Sequence, residues 1–129
     1  MEIPKGHQVV MPYLIMDGAS RFIDYIENVF DAELTYGSKS DGELTGHCEA
    51  QIGGSTIMFS NCRGEWPPVT ANMFVYVKDA DAAFARAIDS GGSTVMELAD
   101  QDYGRSGGVK DPFGNVWWIT SVSNQGEEK

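Results

Sequence analysis

The sequence predicts an α+β fold: two tandem βαβββ modules forming a curved, partly open mixed β-barrel cup with the helices outside. Three observations predict it. Two stretches of helical apolar spacing each follow one strand-like run and precede several more. The second half of the chain repeats the first, element by element. One helix on a few strands covers a single sheet face, so two such modules close their sheets toward each other.

Val9 to Met16 is an apolar run of strand length. Pro12 lies inside it and has no N–H to give, which places that part at an edge or bulge. Asp17-Gly18 breaks the run, and Asp17 or Ser20 is the candidate cap of a helix. From Ala19 to Phe30, the residues Phe22, Ile23, Ile26, Val29 and Phe30 share one helical face. Glu33 to Tyr36 reads as a short strand, and 38–46 as a polar stretch with an Asp41-Gly42 hairpin signal. Thr45 to Ile52 alternates, with His47, Glu49 and Gln51 on one face and Cys48, Ala50 and Ile52 on the other. Gly53-Gly54 turns the chain back into a strand over Ser55 to Ser60.

Residues 61–70 form a loop, and Pro67-Pro68 marks it as a linker between module one (8–60) and module two (71–122). Asn72 to Val77 is a strand. Asp79 and Asp81 open a helix, where carboxylates suit the N-terminal dipole. Ala80, Ala83, Phe84, Ala87 and Ile88 are its apolar stripe, and Gly91-Gly92 ends it. Strands follow over 93–98, 107–110 and 115–122, with a polar loop at 100–106 and a turn at Asp111-Pro112-Phe113-Gly114. The tail, 123–129, reads as frayed.

Superposed, Met11–Met16 matches Asn72–Val77, Ile23 falls on Phe84, Ile26 on Ala87, and Ile57-Met58-Phe59 on Trp117-Trp118-Ile119. The offset is about 60 residues throughout, longer than a usual solenoid unit.

A chain of 129 residues suits one compact domain able to bury a core without staples. Its net charge of −10 repels phosphate backbones, so nucleic acid and anionic membranes are poor partners. No apolar run approaches membrane-spanning length, and residues 1–7 lack the pattern of a signal peptide, so the cytoplasm is the expected location. Cys48 and Cys62 fit no metal-type spacing and read as a reduced pair, although a disulfide stays open.

The closing string Gly107-Gly108-Val109-Lys110-Asp111-Pro112-Phe113-Gly114-Asn115-Val116-Trp117-Trp118-Ile119, behind tandem modules of this length, resembles the vicinal-oxygen-chelate superfamily of glyoxalases, bleomycin-resistance proteins and dioxygenases. Tyr103-Gly104-Arg105 and His47–Ser55 are similar to its PhnB-like branch. The resemblance covers about residues 8 to 122 and implies a small-molecule ligand and a homodimer.

Enzymes of that superfamily hold a divalent metal with His, Gln or Glu on the first and last strands of each module. Those positions fall here at or beside Met11, Met58, Asn72 and Trp118, none of which is a typical ligand. The expectation is therefore no metal and no cofactor, with a divalent metal as the alternative. His47 and Glu49, two residues apart on one strand face, are the candidate catalytic pair, either for a non-standard metal site or for metal-free acid/base work. The competing reading makes His47 a histidine hydrogen-bonded to a neighbour. His7 is expected to face solvent.

Without a metal, Met11, Tyr13, Met58, Asn72, Phe74, Tyr76 and Trp118 give an apolar, aromatic cup suited to a planar or cationic guest. Alternatively these side chains fill one another as core. Trp66 either closes over the cup or packs at a dimer interface. Tyr103 and Arg105 are candidate gate residues, unless Arg105 pairs with a surface carboxylate. Three functions remain open: a metal-free binding protein, a glyoxalase-type lyase, isomerase or dioxygenase acting through His47 and Glu49, and an interaction module with a filled cup.

Overall fold

A computed structural model describes residues 1–122. The tail at 123–129, expected to fray, lies outside them. Among the described residues are two helices and eight strands in two mixed four-stranded sheets, an α+β fold of two βαβββ modules as the sequence predicts. The chain divides into two compact units, one ending at Thr70 and one beginning at Ala71.

In the first unit, β1 (Tyr13–Met16), α1 (Ala19–Phe30), β2 (Glu33–Ser40), β3 (Glu43–Ile52) and β4 (Ser55–Asn61) form a sheet of order β1-β4-β3-β2. The strand expected from Val9 begins only at Tyr13. Val9 and Val10 are exposed, and Pro12 gives the ladder only its carbonyl, which accepts from Met58 N–H. That leaves β1 an edge strand, as the proline requires. The β2–β3 hairpin is longer than expected, because the polar stretch at 38–46 is paired strand apart from the Asp41-Gly42 turn.

The α1 stripe packs on one sheet face, with Phe22 edge-on to Phe59 at 5.1 Å and both fully buried. Each such side chain contributes about 1.5–3 kcal/mol by leaving water. Neither Asp17 nor Ser20 caps α1. Asn61, at the end of β4, accepts the N–H groups of Gly18 and Ala19 at 3.1 and 2.7 Å and donates to Leu44 O. One amide thus ties the helix start to β3 and β4, a cap supplied from 42 residues away.

The second unit repeats the plan with β5 (Asn72–Tyr76), α2 (Ala80–Asp89), β6 (Ser93–Gln101), β7 (Gly104–Lys110) and β8 (Val116–Ser121), in the order β5-β8-β7-β6. The registers match too: Tyr13 stands opposite Met58, and Phe74 opposite Trp118. Here the cap is local, with Asp79 accepting from Ala82 N–H. The polar loop expected at 100–106 is instead a tight hairpin turning at Asp102-Tyr103, because 99–101 pairs with 104–106. Small residues on α2 and the missing Cβ at Gly107 let Phe84 reach the sheet; a Cβ there would stand 2.8 Å from its ring.

Asp111 is buried at 3% exposure and satisfied at both oxygens. Oδ1 accepts from Phe113 N–H and Asn115 N–H, and Oδ2 from Asn115 Nδ2 and Trp117 Nε1 at 2.8 Å. The carboxylate therefore shapes the turn and anchors the indole beneath α2. Replacing Asp111 by Ala removes four accepted hydrogen bonds and is expected to cost about 3 kcal/mol. For a chain of this size that is a fall of about 10 °C in Tm, read by thermal unfolding.

Candidate functional site

The face of the first sheet opposite α1 carries the sequence-predicted side chains of that unit. Tyr13 and Met58 are register partners, as are Met58 and Glu49, while His47 lies two residues along β3. Met11 is half-buried just before Pro12. The pleat does this: odd positions of β3 share the open face, while Cys48 and Ala50 turn toward α1 and are fully buried. Burial pushes the Cys48 thiol up, so it is a poor nucleophile.

His47 Nε2 lies 2.7 Å from Glu49 Oε2, and its Nδ1 lies 3.1 Å from the Tyr13 hydroxyl. The rings of Tyr13 and Tyr36 flank it, at 5.3 and 5.8 Å. The other Glu49 oxygen meets His7 Nε2 at 2.7 Å. His7, expected to face solvent, is thus a correction: its side chain is only 20% exposed. The segment bearing it is strapped across β3 and β4. Gly6 O accepts from Thr56 Oγ1 and Gln51 Nε2, and the Gln8 amide brackets the Thr56 backbone.

Tyr13 O–H, His47, Glu49 and His7 therefore form one hydrogen-bonded chain. With Glu49 ionised, each Nε2–H donates to it, and His47 Nδ1 accepts from Tyr13. Desolvation pushes the Glu49 carboxyl up, hydrogen bonds and charge from His7 and His47 pull it down, and the net shift is downward.

Beside this chain opens a cavity of about 790 Å³. Tyr13, Ile15, Thr45, Gly46, His47 and Ser60 form its floor. Asn61, at the end of β4, and Cys62, Arg63, Trp66 and Val69, from the segment after it, form its wall. That segment is fixed at both ends. Arg63 and Trp66 exchange backbone hydrogen bonds across a tight turn, and Val69 pairs with Ile15 on the outer edge of β1. Of the predicted residues, Tyr13, His47 and Trp66 meet at the cavity, with Glu49 behind His47. The sequence reading missed Ile15, Thr45, Gly46 and Ser60 on the strands and Asn61, Cys62, Arg63 and Val69 in the linker; the one visible signal of the latter is position, on either side of Trp66.

In the second unit, Trp118 Nε1 donates to Asn72 Oδ1 at 3.1 Å. The indole lies on bare backbone, since a Cβ at Gly108 would stand 2.6 Å from its ring. Phe74 packs edge-on to Tyr76 at 5.2 Å and near Tyr103 at 6.1 Å, and all three are half or more exposed. Arg105 is held in an exposed network by Asp81 and Asp100, the surface pairing left open by the sequence. Its hydrogen bond pulls the Asp81 carboxyl down.

Among the described residues, no group of three or more His, Cys, Asp or Glu side chains is placed to hold a metal ion. Met11, Met58, Asn72 and Trp118 do not fit one either, as Asn72 and Trp118 are spent on each other. No helix among these residues is long and apolar enough to cross a membrane.

The profile of the glyoxalase/bleomycin resistance protein/dioxygenase superfamily matches residues 7–119. An uncharacterized Mycobacterium bovis protein is 37% identical over 121 residues, 82% of this chain and 78% of its own. Among solved structures, TioX from a Micromonospora species superposes with a TM-score of 0.71 at 23% identity, over 90% of this chain and 97% of that one. A Bacillus cereus PhnB protein, titled a putative 3-demethylubiquinone-9 3-methyltransferase, gives 0.67 at 19%, over 89% and 100%. FosX, a fosfomycin resistance protein of Mesorhizobium loti, gives 0.66 at 16%, over 98% and 100%. At these identities the structures share the fold.

The lowered Glu49 pKa carries a sign. A depressed carboxylate stabilises the fold above its ordinary value of 4.5, and that stability is lost as pH falls through the folded value. Glu49→Gln is expected to flatten the stability–pH curve in that acid window, measured by urea unfolding at stepped pH.

Proposed function

The chain belongs to the glyoxalase/bleomycin resistance protein/dioxygenase superfamily, and on that premise we propose that its first unit binds a small organic molecule without metal and without turning it over. The observation that carries this reading is the cavity of about 790 Å³, with aromatic and aliphatic walls and a few polar handles, the make-up of a ligand site. Donor chemistry supports it. The superfamily's metal positions hold thioethers, an amide and an indole, and catalysis of that type would have no electrophile. The histidine at the cavity floor also counts against chemistry. Both His47 nitrogens are engaged, so neither is free to take a substrate proton.

The test has two parts. Protein incubated with zinc, nickel, iron and manganese and then desalted is expected to retain far less than one equivalent of any metal. Near-stoichiometric retention, lost in His47→Ala, overturns the reading in favour of a metal-dependent lyase, isomerase or dioxygenase. Fragments screened in the presence of EDTA are expected to quench tryptophan emission saturably in the native chain and not in Trp66→Phe.

The proposed partner is a second copy of the chain. What supports a homodimer is the second unit's aromatic cluster, where Phe74, Tyr76 and Tyr103 expose 50%, 66% and 52% of their surfaces. Sedimentation is expected to give twice the 14.1 kDa chain mass, falling toward one chain mass in Tyr76→Glu.

A further inference from the structure

Resting on the binding reading above, we propose that the guest is a planar organic anion, with Arg63 as the group that receives its carboxylate or phosphate. The cavity lining carries this. The chain has 19 Asp and Glu against 9 Lys and Arg, yet not one carboxylate lines the cavity, whereas Arg63 and His47 both do. The aromatic rings alone would also suit a cation, but a guanidinium in the lining repels one and attracts an anion.

Arg63 is positioned for the task. Its backbone is locked by hydrogen bonds of 2.9 and 2.6 Å to Trp66, so Arg63 and Trp66, both of which line the cavity, stand at the two ends of one turn. Among the described residues its side chain has neither an ion pair nor a hydrogen bond, in contrast to Arg105, which Asp81 and Asp100 hold. A planar guanidinium fork matches the two oxygens of a carboxylate or phosphate. Trp66 and Tyr13 offer faces for a flat body, and Ser60 adds a hydroxyl at the floor.

Three charges oppose an anion, and none decides the matter: Glu65, in the same turn as Arg63, is exposed and does not line the cavity. Glu49 stands behind His47 and gives one oxygen to each of two imidazoles, so its charge is turned from the cavity. The net charge of −10 acts at long range and is screened beyond about 8 Å at physiological salt. Contact with the guanidinium is closer than that. The overall charge slows the encounter, and the local charge sets how long the guest stays.

The probes are 2-naphthoate, 2-naphthyl phosphate, 2-naphthamide and 2-naphthylmethylammonium, titrated calorimetrically at 0.15 M salt. Both anions are expected to bind about tenfold or more tightly than the amide, with the ammonium weakest. Whichever anion is tighter identifies the preferred group. Arg63→Gln is expected to bring both anions to the amide's affinity and leave the amide unchanged, while Lys78→Gln, on the second unit, changes none of the four. Circular dichroism melting checks that both variants fold. If amide and ammonium bind as well as the anions, the anion assignment falls and the binding reading stands. If no naphthalene binds and a broader fragment screen also finds nothing, the binding reading falls and takes this one with it.

Discussion

Each sheet is covered on one face by a single helix, and that constraint decides what the other face can be. In both units the first strand pairs in parallel with the last, and a parallel pair needs a crossover that lays the intervening helix across the sheet. The helix face then collects the apolar half of β1, β3, β4, β7 and β8: Leu14, Met16, Cys48 and Phe59 in the first unit, Val109, Trp117 and Ile119 in the second. The open face receives the other half of the pleat, and it is polar-aromatic in both. The two open faces have gone different ways. The first gained a hydrogen-bonded chain and a wall of connecting segment; the second keeps an exposed aromatic cluster.

That difference traces to a few residues. The Asn61 amide ties α1 to β3 through both its oxygen and its nitrogen, which fixes where β4 ends and where the next segment departs. The chain then has to return past the outer edge of β1, and the Ile15–Val69 bridge holds it there. An edge strand left with unpaired groups is thereby partly covered. The same return raises Arg63 and Trp66 beside the open face, so strand termination and cavity construction are one event.

Periodicity made much of this legible. The α1 stripe, the Asp79 cap, the Asp41-Gly42 and Asp111–Gly114 turns, and the match of Met58 with Trp118 are all local patterns or repeats of them. Legibility stopped where partners are distant in sequence. The α1 cap comes from 42 residues away, and the partner that takes His7 out of solvent is equally far. A histidine in a polar N-terminal segment carries no sign that a carboxylate waits on β3. The hairpin at 102–103 was hidden for another reason: Asp100, Gln101 and Asp102 look like loop because an exposed edge strand need not be apolar. For the site itself, alternation located the His47–Glu49 face but not the cavity, whose wall has no period at all.

The pairing of His47 with Glu49 is where binding and catalysis part. Two residues apart on a strand face, the pair can meet as an acid/base couple does, and its 2.7 Å contact lies within the range such couples show. A working base, however, turns one nitrogen to the carboxylate and the other to the substrate. Here the second nitrogen meets Tyr13, and the carboxylate's second oxygen meets His7. Both His47 nitrogens and both Glu49 oxygens are matched by other side chains, which makes that part of the network rigid. On the proposed binding reading, a rigid floor whose histidine is already paired does not compete for a guest's polar atoms, and the recognition of charge falls to Arg63, the guanidinium at the cavity that the network does not touch.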